Sequence, residues 1–201
     1  PHHPTLSEVN RVLRVASIIG TRPEVIKMAP VVMEMRRHAN QINHTVVATA
    51  QHRNMLDQTL KDFDIIPDID LDLMEANQTP VSFTSRALTA LDKLFDEIRP
   101  DVILAQGDTS TTLAAALAGF YHHIPVGHIE AGLRTHDLDN PFPEEMNRRL
   151  TAPLVAFHFA PTRCARQNLI AEGISSDQIF VTGNTVVDAL MWLVDRMGDD
   201  I

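Results

Sequence analysis

Three acidic residues stand where an α/β chain does its chemistry. Asp108 follows the apolar run Val102-Ile103-Leu104-Ala105 and sits in Gly107-Asp108-Thr109. Glu130 follows Val126-Gly127-His128-Ile129, with Gly132 close behind, and Glu144 follows Pro141-Phe142-Pro143. Apolar runs of this kind read as buried strands. That puts Asp108 and Glu130 at strand carboxyl ends, the edge where open α/β sheets bind ligands. Glu144 is expected to open a helix in the same neighbourhood. Carboxylates converging on one cleft form a constellation for proton transfer. Each also has a plainer reading. Asp108 can cap the helix that follows it, and Glu144 suits the positive end of a helix dipole. Glu130, beside an apolar run, needs partners or a raised pKa to be tolerated. Arg148 lies one turn beyond Glu144; it either pairs with that residue or points into the cleft toward an anion. His128 reads equally as a core histidine and as a catalytic one.

Cations and amides gather at the same edge. Gly20-Thr21-Arg22-Pro23-Glu24 joins the first strand to the first helix. Backbone N–H groups and the helix dipole favour a phosphate at that position, and Arg22 and Lys27 add positive charge; an ordinary βα turn with solvated charges is the equal alternative. The GxGxxG fingerprint and the Walker loop are both missing from this turn, so neither of those nucleotide-binding devices is expected. Gln51-His52-Arg53 follows the second strand and is either a ligand contact or a capping loop. The spacing of His128, His136 and the acids is not that of a zinc site, and no metal is expected. Gly183-Asn184-Thr185 reads as a turn and N-cap.

These groups are positioned by an alternation of strand and helix signals. Strands are expected over 11–19, 44–49, 68–73, 101–106, 125–129, 155–160 and 178–182. Helices are expected over 23–38, 54–63, 81–98, 111–121, from about 144, and over 163–172 and 185–197. Repeated βα units imply a doubly wound, Rossmann-like parallel sheet with helices on both faces. The acid–apolar alternation at 68–73 marks an exposed or edge strand. Residues 1–10 are expected to be a disordered or appended tail, 11–183 one domain, and 184–201 a connecting helix. With 201 residues and 44% hydrophobic content the chain can build a proper core. Its net charge of −9 argues against a nucleic-acid partner. It also means that local cations must hold any anionic ligand. No apolar run reaches membrane-span length. The single cysteine, Cys164, excludes an intrachain disulfide and suits a reducing cytosol, so a cytoplasmic location is expected.

Taken in order, the strings resemble the non-hydrolysing UDP-N-acetylglucosamine 2-epimerase family. They run from Gly20 to Pro30, Gln51 to Arg53, Gly107 to Thr109, His128 to Arg134, Pro141 to Glu145 and Val181 to Leu190. The resemblance implies a GT-B-type two-domain architecture with the active site between two Rossmann-like halves, this chain being the first. The second half would supply most uracil and diphosphate contacts and a catalytic histidine in a His-Arg-Glu string. That string is missing from this sequence, and the chain alone is expected to be inactive. The implied reaction inverts C2 of UDP-N-acetylglucosamine to give UDP-N-acetylmannosamine, for cell-surface polysaccharide synthesis. UDP leaves to give 2-acetamidoglucal and is then added back, with C2 inverted. Asp108, Glu130 and Glu144 match the family's catalytic acids, with the role of each left open. Arg22, Lys27, Arg148, Gln51 and His52 match substrate-binding positions. No cofactor is implied. A homodimer through this domain is, with the helices at 81–98 or 111–121 supplying the surface. Two alternatives stand beside this reading: the hydrolysing relative, which releases UDP and free N-acetylmannosamine, and a non-catalytic sugar-nucleotide-binding or assembly domain.

Overall fold

The computed structural model describes residues 11–51 and 53–198. The expected tail at 1–10 lies outside them. Parallel strands buried on both faces must be apolar on both, and the first strand, β1 (Leu13–Ile19), shows this. Val15 and Ile19 enter one core while Ala16 and Ile18 enter the other. The chain continues through α1 (Arg22–Arg37), β2 (Ile42–Ala48), α2 (Arg53–Asp62), β3 (Ile69–Asp70), α3 (Pro80–Ile98), β4 (Val102–Gln106) and α4 (Ser110–Tyr121). It ends with β5 (Val126–Ile129), α5 (Glu144–Thr151), β6 (Phe157–Ala160), α6 (Arg163–Ala171), β7 (Ile179–Val181) and α7 (Thr185–Met197).

The strands form one seven-stranded sheet in the order β3-β2-β1-β4-β5-β6-β7, with every pairing parallel. This is the doubly wound sheet expected from the sequence. The chain winds outward from β1 to β3, then returns to lay β4 against the other side of β1. Strand order therefore reverses between β1 and β4, and a crevice opens outside their carboxyl ends.

One core lies between the sheet and α1 and α2, around Val25, Met28, Val32, Leu56 and Leu60. The other lies under α3 and α4, around Phe83, Leu91, Phe95, Ala115 and Ala118. The alanines of α4 are spent inside the chain against this core, so of the helix at 111–121 only its end, Phe120 and Tyr121, stays exposed among its large apolar residues. The edge strand is shorter than the pattern at 68–73 suggests. Only Ile69 and Asp70 form regular strand beside β2, although Asp68 and Leu71 also donate their backbone N–H groups to Val46 and Ala48, and the Asp68 carboxylate accepts the Val46 N–H at 2.7 Å. Helix α7 lies along α1. Ala189 is buried, Trp192 stacks on Phe63 with centroids 5.2 Å apart, and Arg196 reaches Asp64 at 2.5 Å. No helix among the described residues is long and apolar enough to cross a membrane.

Candidate active site

The crevice between β1 and β4 holds a cleft of about 540 Å³. The turns after those strands, the start of α1, the residues before α3 and the start of α5 line it. Its polar lining includes Glu24, Lys27, Gln51, Gln106, Asp108 and Glu144. This volume is in the ordinary range for a small-ligand site.

Asp108 ends the β4 turn but does not cap α4. That task falls to Thr109, whose hydroxyl accepts the N–H groups of Thr111 and Thr112 at 3.1 and 3.4 Å. Asp108 is thus left to face the cleft. Its Oδ2 accepts both Nε and Nη2 of Arg148, at 2.9 and 2.6 Å, and its carbonyl accepts Asn147 Nδ2 at 2.8 Å. Oδ1 has no hydrogen-bond partner among the described residues. Arg148 does not pair with Glu144, as one turn of helix had allowed. Its remaining terminal nitrogen donates to Glu145 instead, at 3.1 Å. The array continues as Glu145–Arg149–Glu172–Arg134. Glu145 is fully buried and also accepts the backbone N–H groups of Thr135 and His136. Burial pushes its pKa up, but the Thr135 N–H and Arg148 outweigh that and hold it low. Burial likewise opposes the charge on Arg148, and the adjacent Asp108 more than offsets it, so the pKa rises.

Glu130 has a left-handed backbone, φ 65°, an uncommon state for a residue with a side chain. Its carboxylate turns back toward the crevice. Lys27 and Gln106 both donate to Oε2, and Asn184 Nδ2 donates to Oε1 at 3.2 Å. The requirement for partners is met by α1, β4 and the N-cap of α7 together. Glu130 stands one layer behind the cleft surface, reached through Lys27 and Gln106. Glu144, the first residue of α5, lines the cleft and has no hydrogen-bond or ion-pair partner among the described residues.

The expected ligand contacts divide. Gln51 lines the cleft, its Oε1 accepting the Thr111 hydroxyl at 3.1 Å. Arg22 is exposed in the first turn of α1 and does not line the cleft. His52 lies outside the described residues. His128 is 2% exposed, and its Nε2 donates to the Gly107 carbonyl at 2.6 Å. Its neighbour across the strands is His158, also buried. Burial above all pushes both pKa values down to about 4, so both rings are neutral. These are core histidines.

The β1–α1 turn departs from the expected phosphate cradle. Glu24 is 1% exposed; its Oε2 accepts the N–H groups of Gly20 and Thr21 at 2.5 and 2.8 Å, and its Oε1 accepts the Thr109 hydroxyl at 2.5 Å. Two of the backbone donors at this turn, those of Gly20 and Thr21, are therefore already filled. Burial pushes the Glu24 pKa up to about 7, against the pull of Thr109, Gly20 and Thr21. Gly20 has no substitute here, because a Cβ would lie 2.1 Å from the Thr111 hydroxyl and 2.6 Å from that of Thr49.

Sequence reasoning missed Glu24, Gln106, Glu145, Asn147 and Asn184. Thr21-x-x-Glu24 is a capping-box signature, so the local half of Glu24's role was readable. Glu145 stands at helical spacing from Arg148 and Arg149. Gln106 is a polar residue at the end of an apolar strand. Nothing local points from Asn184 to Glu130, 54 residues away.

A family model described as UDP-N-acetylglucosamine 2-epimerase matches residues 34–201. The chain is 55% identical to a UDP-N-acetylglucosamine 2-epimerase of Yersinia pestis over 185 residues, covering 92% of this chain and 49% of that protein. It is 51% identical to the Bacillus subtilis protein of the same name, covering 94% and 52%. Among solved structures, UDP-GlcNAc 2-epimerase from Neisseria meningitidis, bound to UDP-GlcNAc, superposes with a TM-score of 0.90 at 51% identity, over 93% of this chain and 50% of that one. The apo lipopolysaccharide outer core galactosyltransferase WaaB shares the fold alone, with a TM-score of 0.64 at 16% identity over 86% of this chain and 46% of that one. The chain spans about half the length of the curated relatives it matches.

Proposed function

Since the chain belongs to the UDP-N-acetylglucosamine 2-epimerase family, we propose that it forms one wall of an active site that inverts C2 of UDP-N-acetylglucosamine. The other wall comes from a half such as its relatives carry. The reaction eliminates UDP and the C2 proton to give 2-acetamidoglucal, then adds UDP back at C1 while a proton returns to C2 on the opposite face, yielding UDP-N-acetylmannosamine. The observation that carries this reading is the meeting of Asp108 and Glu144 on one cleft at the switch point, with Glu130 directly behind Lys27 and Gln106.

The C2 proton is weakly acidic, so its removal needs a positioned base and a second proton-transfer group on the other face. Arg148 holds Oδ2 of Asp108 and leaves Oδ1 open for a substrate proton. Glu144, without a partner among the described residues, is the most adaptable of the acids. Glu130 is held by Lys27, Gln106 and Asn184, and a shift of Lys27 toward a departing diphosphate would release it into the cleft. Lys27, Arg148, Gln51, His52 and the exposed Arg22 are the groups we assign to substrate, with the cations offsetting the negative field of the molecule. The helix at 185–197 is proposed to lead toward the second half. A homodimer would use the outer face of α3 with Phe120 and Tyr121, since the alanines of α4 are already buried.

The test is to incubate UDP-N-acetylglucosamine with the 201-residue chain and, in parallel, with the chain extended through the half that its relatives carry. The extended protein is expected to form UDP-N-acetylmannosamine and the shorter chain none. Release of free N-acetylmannosamine would assign the hydrolysing reaction instead. Binding without turnover in the extended protein would leave a sugar-nucleotide-binding domain.

A further inference from the structure

Glu24 is the one buried carboxylate lining the cleft, among the described residues, that the proposed chemistry does not use. Its contacts are divided between two elements. Oε2 takes the backbone N–H groups of Gly20 and Thr21 at the end of β1, and Oε1 takes the hydroxyl of Thr109, the residue after Asp108 at the end of β4. A capping box needs only the Thr21 N–H contact among these. The third reaches across the switch point, 85 residues along the chain. The hydroxyl it grips also caps α4 through Thr111 and Thr112. Asp108 lies between Glu24's hold on Thr109 and Asn147's hold on the Asp108 carbonyl, 2.8 Å away.

We propose that Glu24 is a positioning residue: an internal carboxyl group that occupies the Gly20 and Thr21 amide donors of the β1–α1 turn and clasps them to Thr109, thereby setting where Asp108 stands in the cleft. Two consequences follow. Those two amides are closed to a ligand phosphate. The spacing between the β1 and β4 ends, and with it the aim of Asp108, depends on a side chain that does not touch the reacting atoms. The catalytic part of this inference rests on the epimerase reading; the clasp itself does not.

The geometry dictates the variants. Glu24→Gln keeps the size but turns an amide N–H₂ toward either the N–H donors or the Thr109 hydroxyl, so one side of the clasp is lost. Glu24→Ala removes both sides and opens an anion-sized space at the cleft wall. Thr109→Ser keeps the hydroxyl and the cap. Thermal melting of the 201-residue chain reads the clasp without any activity. Glu24→Ala is expected to melt lower than the parent, and sodium acetate to raise its melting temperature more than sodium chloride of equal ionic strength. The parent should show no such difference. In the extended protein, Glu24→Gln is expected to lower kcat by about 10- to 100-fold, the scale for misplacing a catalytic group, with KM within about threefold. Acetate should recover part of the kcat lost in Glu24→Ala, and Thr109→Ser should match the parent.

If Glu24→Gln melts lower yet keeps its kcat, Glu24 is only a helix cap and the proposal falls. It falls as well if acetate acts no differently from chloride on Glu24→Ala. An extended parent with no epimerase activity would refute the function proposed above. The acetate comparison on the chain would still decide whether the clasp exists.

Discussion

Two aspartates bracket strand β4, and each is paired with arginine. Asp101 precedes the strand at the amino edge of the sheet; Asp108 follows it at the carboxyl edge. Their side chains are similarly exposed, 19% and 27%, so burial does not distinguish them. The number of oxygens left over does. Asp101 spends both: Oδ2 on the backbone N–H and Nε of Arg14, at 2.9 and 3.3 Å, and Oδ1 on Arg14 Nη2 and Arg11, at 3.1 and 2.6 Å. It stitches β1 to the start of β4, and the Arg14 hydrogen bond holds its pKa below the usual carboxylate range. Asp108 spends only Oδ2, and its other oxygen stands at a cleft. The same pair of residue types is a stitch at one end of the strand and a held but unfinished group at the other. The topology decides which, because only the carboxyl end lies at the switch point.

Amide substitutions at the two ends should separate most widely. In the extended protein, Asp108→Asn is expected to lower kcat by about 10²- to 10⁴-fold, the usual share of a general acid or base, with KM and melting temperature little changed. Asp101→Asn should leave kcat untouched. Equal kcat losses at the two ends would break the comparison. A smaller loss is expected for Arg148→Met. It frees Asp108 from its partner and removes one donor from the buried Glu145, which keeps Arg149 and the Thr135 and His136 N–H groups, destabilising the chain by about 2 kcal/mol, the scale for a hydrogen bond to a charged group. Urea unfolding reads that difference.

Acid should also tell the ends apart. His128 and His158 have folded pKa values of about 4, below the ordinary 6.5. Their contribution to stability is therefore full above pH 6.5 and is lost as pH falls through 4. Glu24 has the opposite sign. Its folded value of about 7 lies above 4.5, so its contribution is full below 4.5 and is lost as pH rises through 7. Between about pH 4.5 and 6.5 the pair of histidines outweighs the single glutamate, and the melting temperature should climb with pH. His158→Phe should flatten that climb. Asp101, with its lowered pKa, loses its contribution only below the usual carboxylate value of 3.8. The smallest effect is the stability cost of Asp101→Asn itself, about 1 kcal/mol or less for an exposed pair.

The helices and strands were legible because parallel strands here are apolar runs, punctuated by Gly20, Pro100, Gly107 and Pro125. Most observed bounds fall within about a turn of the expected ones. The edge strand shortened because β2 is its only neighbour, and the Asp68 side chain takes a ladder position. Asp108 and Glu144 line one cleft and Glu130 stands behind it; all three were legible as strand-end or helix-start acids. Their partners were not. Arg148 could either pair with Glu144 or point into the cleft; Asp108, 40 residues back, holds it with a two-pronged hydrogen bond. Glu24 was readable as half a capping box, but its grip on Thr109 depends on β4 returning beside β1. Lys27, Gln106 and Asn184 meet at Glu130 only because the sheet stacks their elements together. Local pattern names the residues; the topology assigns their partners.

The central claim is that acids of this chain move the proton at C2 of the sugar. The direct measurement is proton NMR of the sugar nucleotides after turnover of the extended protein in deuterated water. The account predicts deuterium at C2 of UDP-N-acetylmannosamine, with incorporation suppressed in Asp108→Asn and Glu144→Gln. A product that keeps its original C2 proton, or exchange that proceeds unchanged in both variants, would contradict it.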